Sequence, residues 1–259
     1  MSNLPHRLRR AATITTAAAA VGGLTVIAAE FAAARLRRYA VPALDLAVRA
    51  SIGPPQRPPL RLVLLGDAVA LGVGAESVDE TIGGQLAELL AADARRVELS
   101  SVAVAGSTSA DLEPQVARAL LGDTPDVAVI LIGAGDVTRL HRPTEAAAHL
   151  GAAVRRLRDA DVEVVVGTCP DLGAVRAFAP PLRQLYGWLG RRLAREQAAV
   201  VHAAGGDVVD LAAETGPVFR ADAGSLCYDG FHPSADGYRV WTHALYPAVA
   251  ASVTDSTSG

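Results

Sequence analysis

Near the carboxyl-terminal end, Asp229-Gly230-Phe231-His232-Pro233 places a carboxylate three positions before an imidazole, in a turn containing glycine and proline. At that spacing Asp229 can accept a hydrogen bond from one ring nitrogen of His232, fixing the tautomer and leaving the other nitrogen free as a general base. The same letters also suit a capping aspartate followed by a surface histidine, because short polar turns commonly precede helices. A base of this kind needs a nucleophile to work on. The place to look is Leu62 to Ala70, an apolar run that breaks at Gly66 into a turn, where α/β enzymes often mount a reactive side chain. That turn carries Ala68, which has no nucleophilic atom. A third position is Gly106, just ahead of the capping pattern Thr108-x-x-Asp111. A backbone N–H there can point at an oxyanion, and a glycine there can equally serve only to reverse the chain.

These residues need a scaffold that brings distant loops to one edge. From Leu60 onward, short apolar runs predicted as strands (Leu60–Leu65, Val97–Val104, Val127–Ile132, Val162–Gly167, Val208–Leu211) alternate with stretches of helical spacing. Those stretches are Gly83–Ala94, Ala110–Leu121, Thr144–Ala160, Pro181–Ala203 and Ser234–Ala251. Alternation of this kind implies a parallel five-stranded sheet covered on both faces, a three-layer α/β/α domain. Ligands in such sheets sit outside the carboxyl ends of the strands, where Ala68, Gly106, Gly135 and the His232 turn all follow predicted elements.

The chain has 259 residues, about half of them hydrophobic, and a formal net charge of -3. That balance leaves no basic patch for a nucleic-acid partner. Ala11 to Ala29 is uncharged, with Arg7, Arg9 and Arg10 before it and Arg35, Arg37 and Arg38 after it. It is long enough to cross a bilayer as an uncleaved anchor; a cleaved signal peptide and a surface-lying alanine-rich helix are the competing readings. The expected organisation is an anchor or signal segment over 1–38, a Pro-rich linker over 39–59 stiffened by Pro54, Pro55, Pro58 and Pro59, a domain over 60–252, and a flexible tail over 253–259. The domain is expected on the extracytoplasmic side, with a secreted form as the alternative.

The four blocks Gly66-Asp67-Ala68, Gly106, Gly133-Ala134-Gly135-Asp136 and Asp229-Gly230-Phe231-His232-Pro233 resemble, in order and rough spacing, those of the SGNH or GDSL hydrolases. The resemblance covers about Leu60 to Val249. It implies a flavodoxin-like sheet and an esterase or lipase acting on carboxylic esters of lipids or acylated glycans. It also implies His232 as base, Asp229 as its orienting acid and Gly106 as an oxyanion N–H donor. Two letters depart from the pattern: the family serine is Ala68 and the family asparagine is Gly135. Catalysis is therefore expected to be impaired, and Ala68→Ser is expected to restore little without Gly135→Asn. A non-catalytic module that binds an acylated lipid or glycan is the alternative.

Ser107, Thr108, Ser109 and Thr138 are nearby hydroxyls whose types are also favoured as caps and turn formers. Cys169 and Cys227 fall in loops expected at the same face, so a disulfide pinning the His232 loop is one expectation and two free thiols the other. No cofactor is expected: Gly72-x-Gly74 and Gly133-x-Gly135 lack the third glycine of a dinucleotide fingerprint, and His141 and His149 have no partner at a metal-site spacing. Arg155, Arg156 and Arg158 read as a solvated helix face, and Tyr186 and Trp188 as core or lid residues.

Overall fold

A computed structural model describes residues 22, 23, 25–37, 39, 40, 48–93 and 95–256. Its strands are β1 (Arg49–Ile52), β2 (Pro59–Gly66), β3 (Arg96–Ser101), β4 (Val127–Leu131), β5 (Glu163–Gly167) and β6 (Asp207–Val209). They lie in the order β1-β3-β2-β4-β5-β6, with β1 antiparallel to β3 and every other pairing parallel. The helices are α1 (residues 25–36), α2 (Ile82–Ala92), α3 (Leu112–Ala119), α4 (Ala134–Thr138), α5 (Pro143–Arg158), α6 (Leu182–Ala203), α7 (Leu211–Ala221) and α8 (Ala235–Ser256).

Side chains in a strand alternate between faces, so β2 and β4 feed two cores at once. Leu62, Leu64, Val127, Val129 and Leu131 pack with Ile82 and Leu86 of α2 and with Tyr238, Trp241 and Leu245 of α8. Val63, Leu65, Ala128 and Ile130 pack instead with Leu112 and Val116 of α3, Leu150 and Val154 of α5, and Val201 of α6. All five residues of β4 are buried, as expected for a central strand covered on both faces. The three-layer α/β/α reading is thus the observed fold.

Several details correct the sequence reading. The sheet has a sixth strand, β1, taken from the segment expected to be linker. Val48 just before it is buried, and Arg49 to Ile52 run alongside Ser100 to Val97. The helix α7 was not expected, because Gly216-Pro217 interrupts its pattern; Asp210 caps it by accepting from Ala213 N–H at 3.0 Å, and Leu211 and Phe219 anchor it in the core. The last helix overruns the expected boundary at 252: residues 253–256 are helical and Val253 is buried in the core rather than part of a flexible tail. The expected membrane-crossing run Ala11–Ala29 falls mostly outside the described residues, and among those described no helix is long and apolar enough to cross a membrane.

Candidate active site

The first strand-end loop is set by Gly66. It adopts φ 134°, and a Cβ there would lie 1.8 Å from the Leu131 carbonyl oxygen, so only glycine lets β2 break at this point. Asp67 N–H then donates to that same carbonyl at 3.1 Å, and Val73 N–H reaches back to Ala68 O at 3.0 Å to close the turn. A buried amide ties this turn to the next loop. Gln115 on α3 accepts from Gly66 N–H at 2.8 Å and donates to Gly66 O at 2.9 Å and to Ser107 Oγ at 3.1 Å. Gln197 on α6 does similar work between strand ends, accepting from Cys169 N–H at 2.7 Å and donating to Ile132 O at 3.0 Å. Neither glutamine was singled out in the sequence. Both sit in amphipathic helices where a polar residue reads as surface, and only the tertiary fold turns them inward.

The turn before α8 holds the acid–base pair. His232 is buried, and its Nδ1 lies 2.7 Å from Asp229 Oδ2. Asp229 also accepts from Phe231 N–H at 2.7 Å, His232 N–H at 2.9 Å, Cys227 Sγ–H at 3.1 Å and Ala40 N–H at 2.9 Å. Burial alone would raise this carboxyl. The hydrogen bonds from the His232 ring and from the Ala40, Phe231 and His232 amides outweigh it and hold the group well below the ordinary carboxylate range. An ionised Asp229 can only accept, so Nδ1 must carry the proton, and Nε2 is left as the basic nitrogen.

Ala68, Gly106, Gly135 and His232 all line one cavity of about 540 Å³, with Asp229 behind the imidazole. Among the described residues, neither the Ala68 N–H nor the Gly106 N–H has a hydrogen-bond partner. Two free amides beside a cavity can stabilise a carbonyl oxygen that gains negative charge. Gly106 (φ 79°) is held by Arg139, whose Nη2 donates to its carbonyl at 2.7 Å. Gly135 is crowded: a Cβ added there would stand 2.6 Å from the Ser107 carbonyl oxygen. The loop has closed over the place an asparagine side chain would leave from.

Asp67 is a site residue that the sequence reading named only as part of the turn. It is 5% exposed and lines the cavity beside Ala68, with Oδ1 accepting from Val69 N–H at 3.1 Å. Burial pushes its carboxyl up to about 7, against the pull of the Val69 amide and of His232, with Asp136 adding a further push. A carboxylic acid directly before Ala68, in the turn that follows an apolar strand, is the signal that could have found it.

Three of the four candidate hydroxyls donate elsewhere. Thr108 Oγ1 and N–H both donate to Asp111 in a capping box, Ser109 Oγ donates to Asp136 Oδ2 at 2.8 Å, and Thr138 Oγ1 donates to Ala134 O at 2.9 Å. Ser107 lines the cavity, with Oγ taking the Gln115 amide. Asp136 also meets His141 Nδ1 at 3.2 Å. Of the two readings of the cysteines, the free thiols hold: Cys169 and Cys227 are both free. Their loops share a face, but the Cys227 thiol turns toward Asp229, while Cys169 is fully buried next to Gly133. Burial raises both thiols, Cys227 to about 11, so each is protonated at neutral pH. Tyr186 is core, buried edge-on to Phe178, and Trp188 is half exposed.

A mostly parallel sheet of this order, with an aspartate-held histidine and, among the described residues, unpartnered amides over the strand ends, has the layout of an acyl-hydrolase-type site. The chain belongs to the GDSL-like Lipase/Acylhydrolase family, the SGNH hydrolases, which it matches over residues 64–240. It is 42% identical over 199 residues to the GDSL-like esterase Rv1075c of Mycobacterium tuberculosis, covering 76% of this chain and 63% of that protein. This chain therefore spans less than two thirds of that relative's length. Among solved structures it resembles a variant of Axe2, an acetyl-xylooligosaccharide esterase from Geobacillus stearothermophilus, with a TM-score of 0.58 at 20% identity over 76% of this chain and 95% of that one. It also resembles the psychrotrophic esterase EstA from Pseudoalteromonas, with a TM-score of 0.58 at 15% identity over 74% of this chain and 97% of that one. At these identities the two structures speak to the fold alone.

Proposed function

We propose that this protein is an esterase-lineage member of its family that captures carboxylic esters of lipids or acylated glycans and hydrolyses them feebly or not at all. The observation that carries this reading is the combination at one cavity: Ala68 where a nucleophile belongs, beside an intact Asp229–His232 pair and two unpartnered amides. Without a hydroxyl at 68 there is no acyl-enzyme step to divide the barrier. A water molecule activated by His232 Nε2 is the route that remains, and binding does not need even that. The cavity has not been filled by a side chain, which favours retained binding over a purely structural relic. The esterase named among the relatives supports the ester as ligand class.

Binding is expected to be read as a rise in melting temperature with non-hydrolysable ester analogues, and to weaken in His232→Ala, which removes the polar end of the cavity. A ligand held at a large excess over its Kd stabilises the folded state by several kcal/mol, at about 1.4 kcal/mol per tenfold excess. No shift with any acyl lipid or acylated sugar analogue would remove the support for this reading.

The uncharged run Ala11–Ala29 supports anchoring in a membrane; its three arginines on each side nearly cancel, and the free amino terminus tips the balance toward a domain outside the cytoplasm. The protein is then expected to sediment with membranes at its full mass. A soluble exported form beginning between Ala28 and Ala34 would show cleavage instead.

A further inference from the structure

We infer that Phe31, Ala34, Arg35, Tyr39 and Ala40, upstream of the region matched to the family, form a working wall of the cavity that selects ligands by their acyl chain. This inference rests on the ester-binding reading above. Phe31, Ala34 and Arg35 stand at i, i+3 and i+4 on one face of α1, and that face lines the cavity together with Tyr39 and Ala40. Phe31, Ala34 and Tyr39 pack onto the same apolar cluster as Phe178 and Phe231.

The wall is fastened at several points. Glu30 accepts from Leu182 N–H at 3.2 Å, the Arg37 guanidinium donates to Ala177 O, and Tyr39 O–H donates to Ala34 O at 3.0 Å. The Tyr39 ring meets Phe231 at 5.2 Å and His232 at 6.4 Å, both edge to face. Beyond it, Ala40 N–H donates to Asp229, so the same segment that walls the cavity also positions the acid behind the base. A hydrocarbon chain gains from such a surface in proportion to the area it hides from water, whereas an acetyl group is too short to use it. The geometry therefore points to esters of extended acyl chains, with the carbonyl end at the Ala68 and Gly106 amides and the chain laid against α1.

The test is a homologous series of n-alkyl methyl ketones, each one methylene longer, titrated against the full chain. Wild-type affinity is expected to rise about fourfold per added methylene, the equivalent of about 0.8 kcal/mol. In the double variant Phe31→Ala/Tyr39→Ala the gain per methylene is expected to be lost, while a single cooperative melting transition shows that the domain is still folded. Phe31→Leu, which keeps an apolar wall, should retain the gain. A slope unchanged in the double variant overturns the wall while leaving the binding reading in place. Failure of every ketone to bind the wild type overturns both.

Discussion

Ala68→Ser is expected to make this protein a His232-dependent esterase that still falls about 10²–10³-fold short of a complete site of its type. The serine restores the attacking atom at the end of β2, within the cavity that His232 lines. In a working triad, loss of the nucleophile costs roughly 10⁶ in kcat, so the wild type is expected to start near the rate that binding and amide stabilisation alone provide. What the serine cannot restore is the side-chain donor missing at Gly135. Gly135→Asn is the obvious addition, yet its Cβ would sit 2.6 Å from the Ser107 carbonyl oxygen. Backbone has to move to admit it, at a cost of about 1–3 kcal/mol for overpacking. Contrary to the sequence reading that the serine needs the asparagine, the double variant Ala68→Ser/Gly135→Asn should therefore melt earlier than the single one and gain little over it. Measuring kcat/KM on short acyl esters decides the matter. A double variant faster than the single by two orders of magnitude would show that the closed loop yields easily, and turnover by Ala68→Ser that survives His232→Ala would dismiss the assigned base.

Asp67→Asn is expected to stabilise the fold, and to do so more as pH rises. The folded carboxyl titrates near 7 against an ordinary value of 3.8, because burial disfavours its charge. A raised folded value means that folding binds the proton more tightly. The contribution is fully present below the unfolded value and is lost as pH climbs through the folded one. The loss spans about three pH units, equivalent to about 4 kcal/mol at 1.36 kcal/mol per unit. The amide of asparagine can still accept from Val69 N–H, as Oδ1 of Asp67 does, without carrying charge. Melting curves should show little difference between the variant and wild type near pH 4 and a large advantage for Asp67→Asn near pH 8. Equal curves at both ends would mean that Asp67 is solvated far better than its 5% exposure implies.

What the sequence made legible follows from where the signals are local. The β–α alternation needs only periodicity, and β4, apolar throughout, announces a central strand. The site letters lie just after strands, so their convergence followed from the topology. What stayed hidden depends on contacts between distant parts. Arg49–Ile52 lacks the apolar density of a central strand because it sits on an edge, with alternate residues exposed. Gln115, Gln197 and the α1 wall are polar or alanine-rich stretches whose roles exist only once the chain is folded. The choice between a disulfide and two free thiols was open in the sequence for the same reason, since proximity of two loops does not fix the direction in which their side chains point.

The closed loop over Gly135 also bears on the history of the chain. Restoring asparagine first would strain the Ser107 backbone with no serine present to benefit from the new donor. Restoring serine first would give selection only a partial activity to act on. The serine step is thus the one that carries activity, and the Ser107 carbonyl beside Gly135 stands against the asparagine step. With the 107 carbonyl in that place, any use of the cavity has to work without an asparagine at 135.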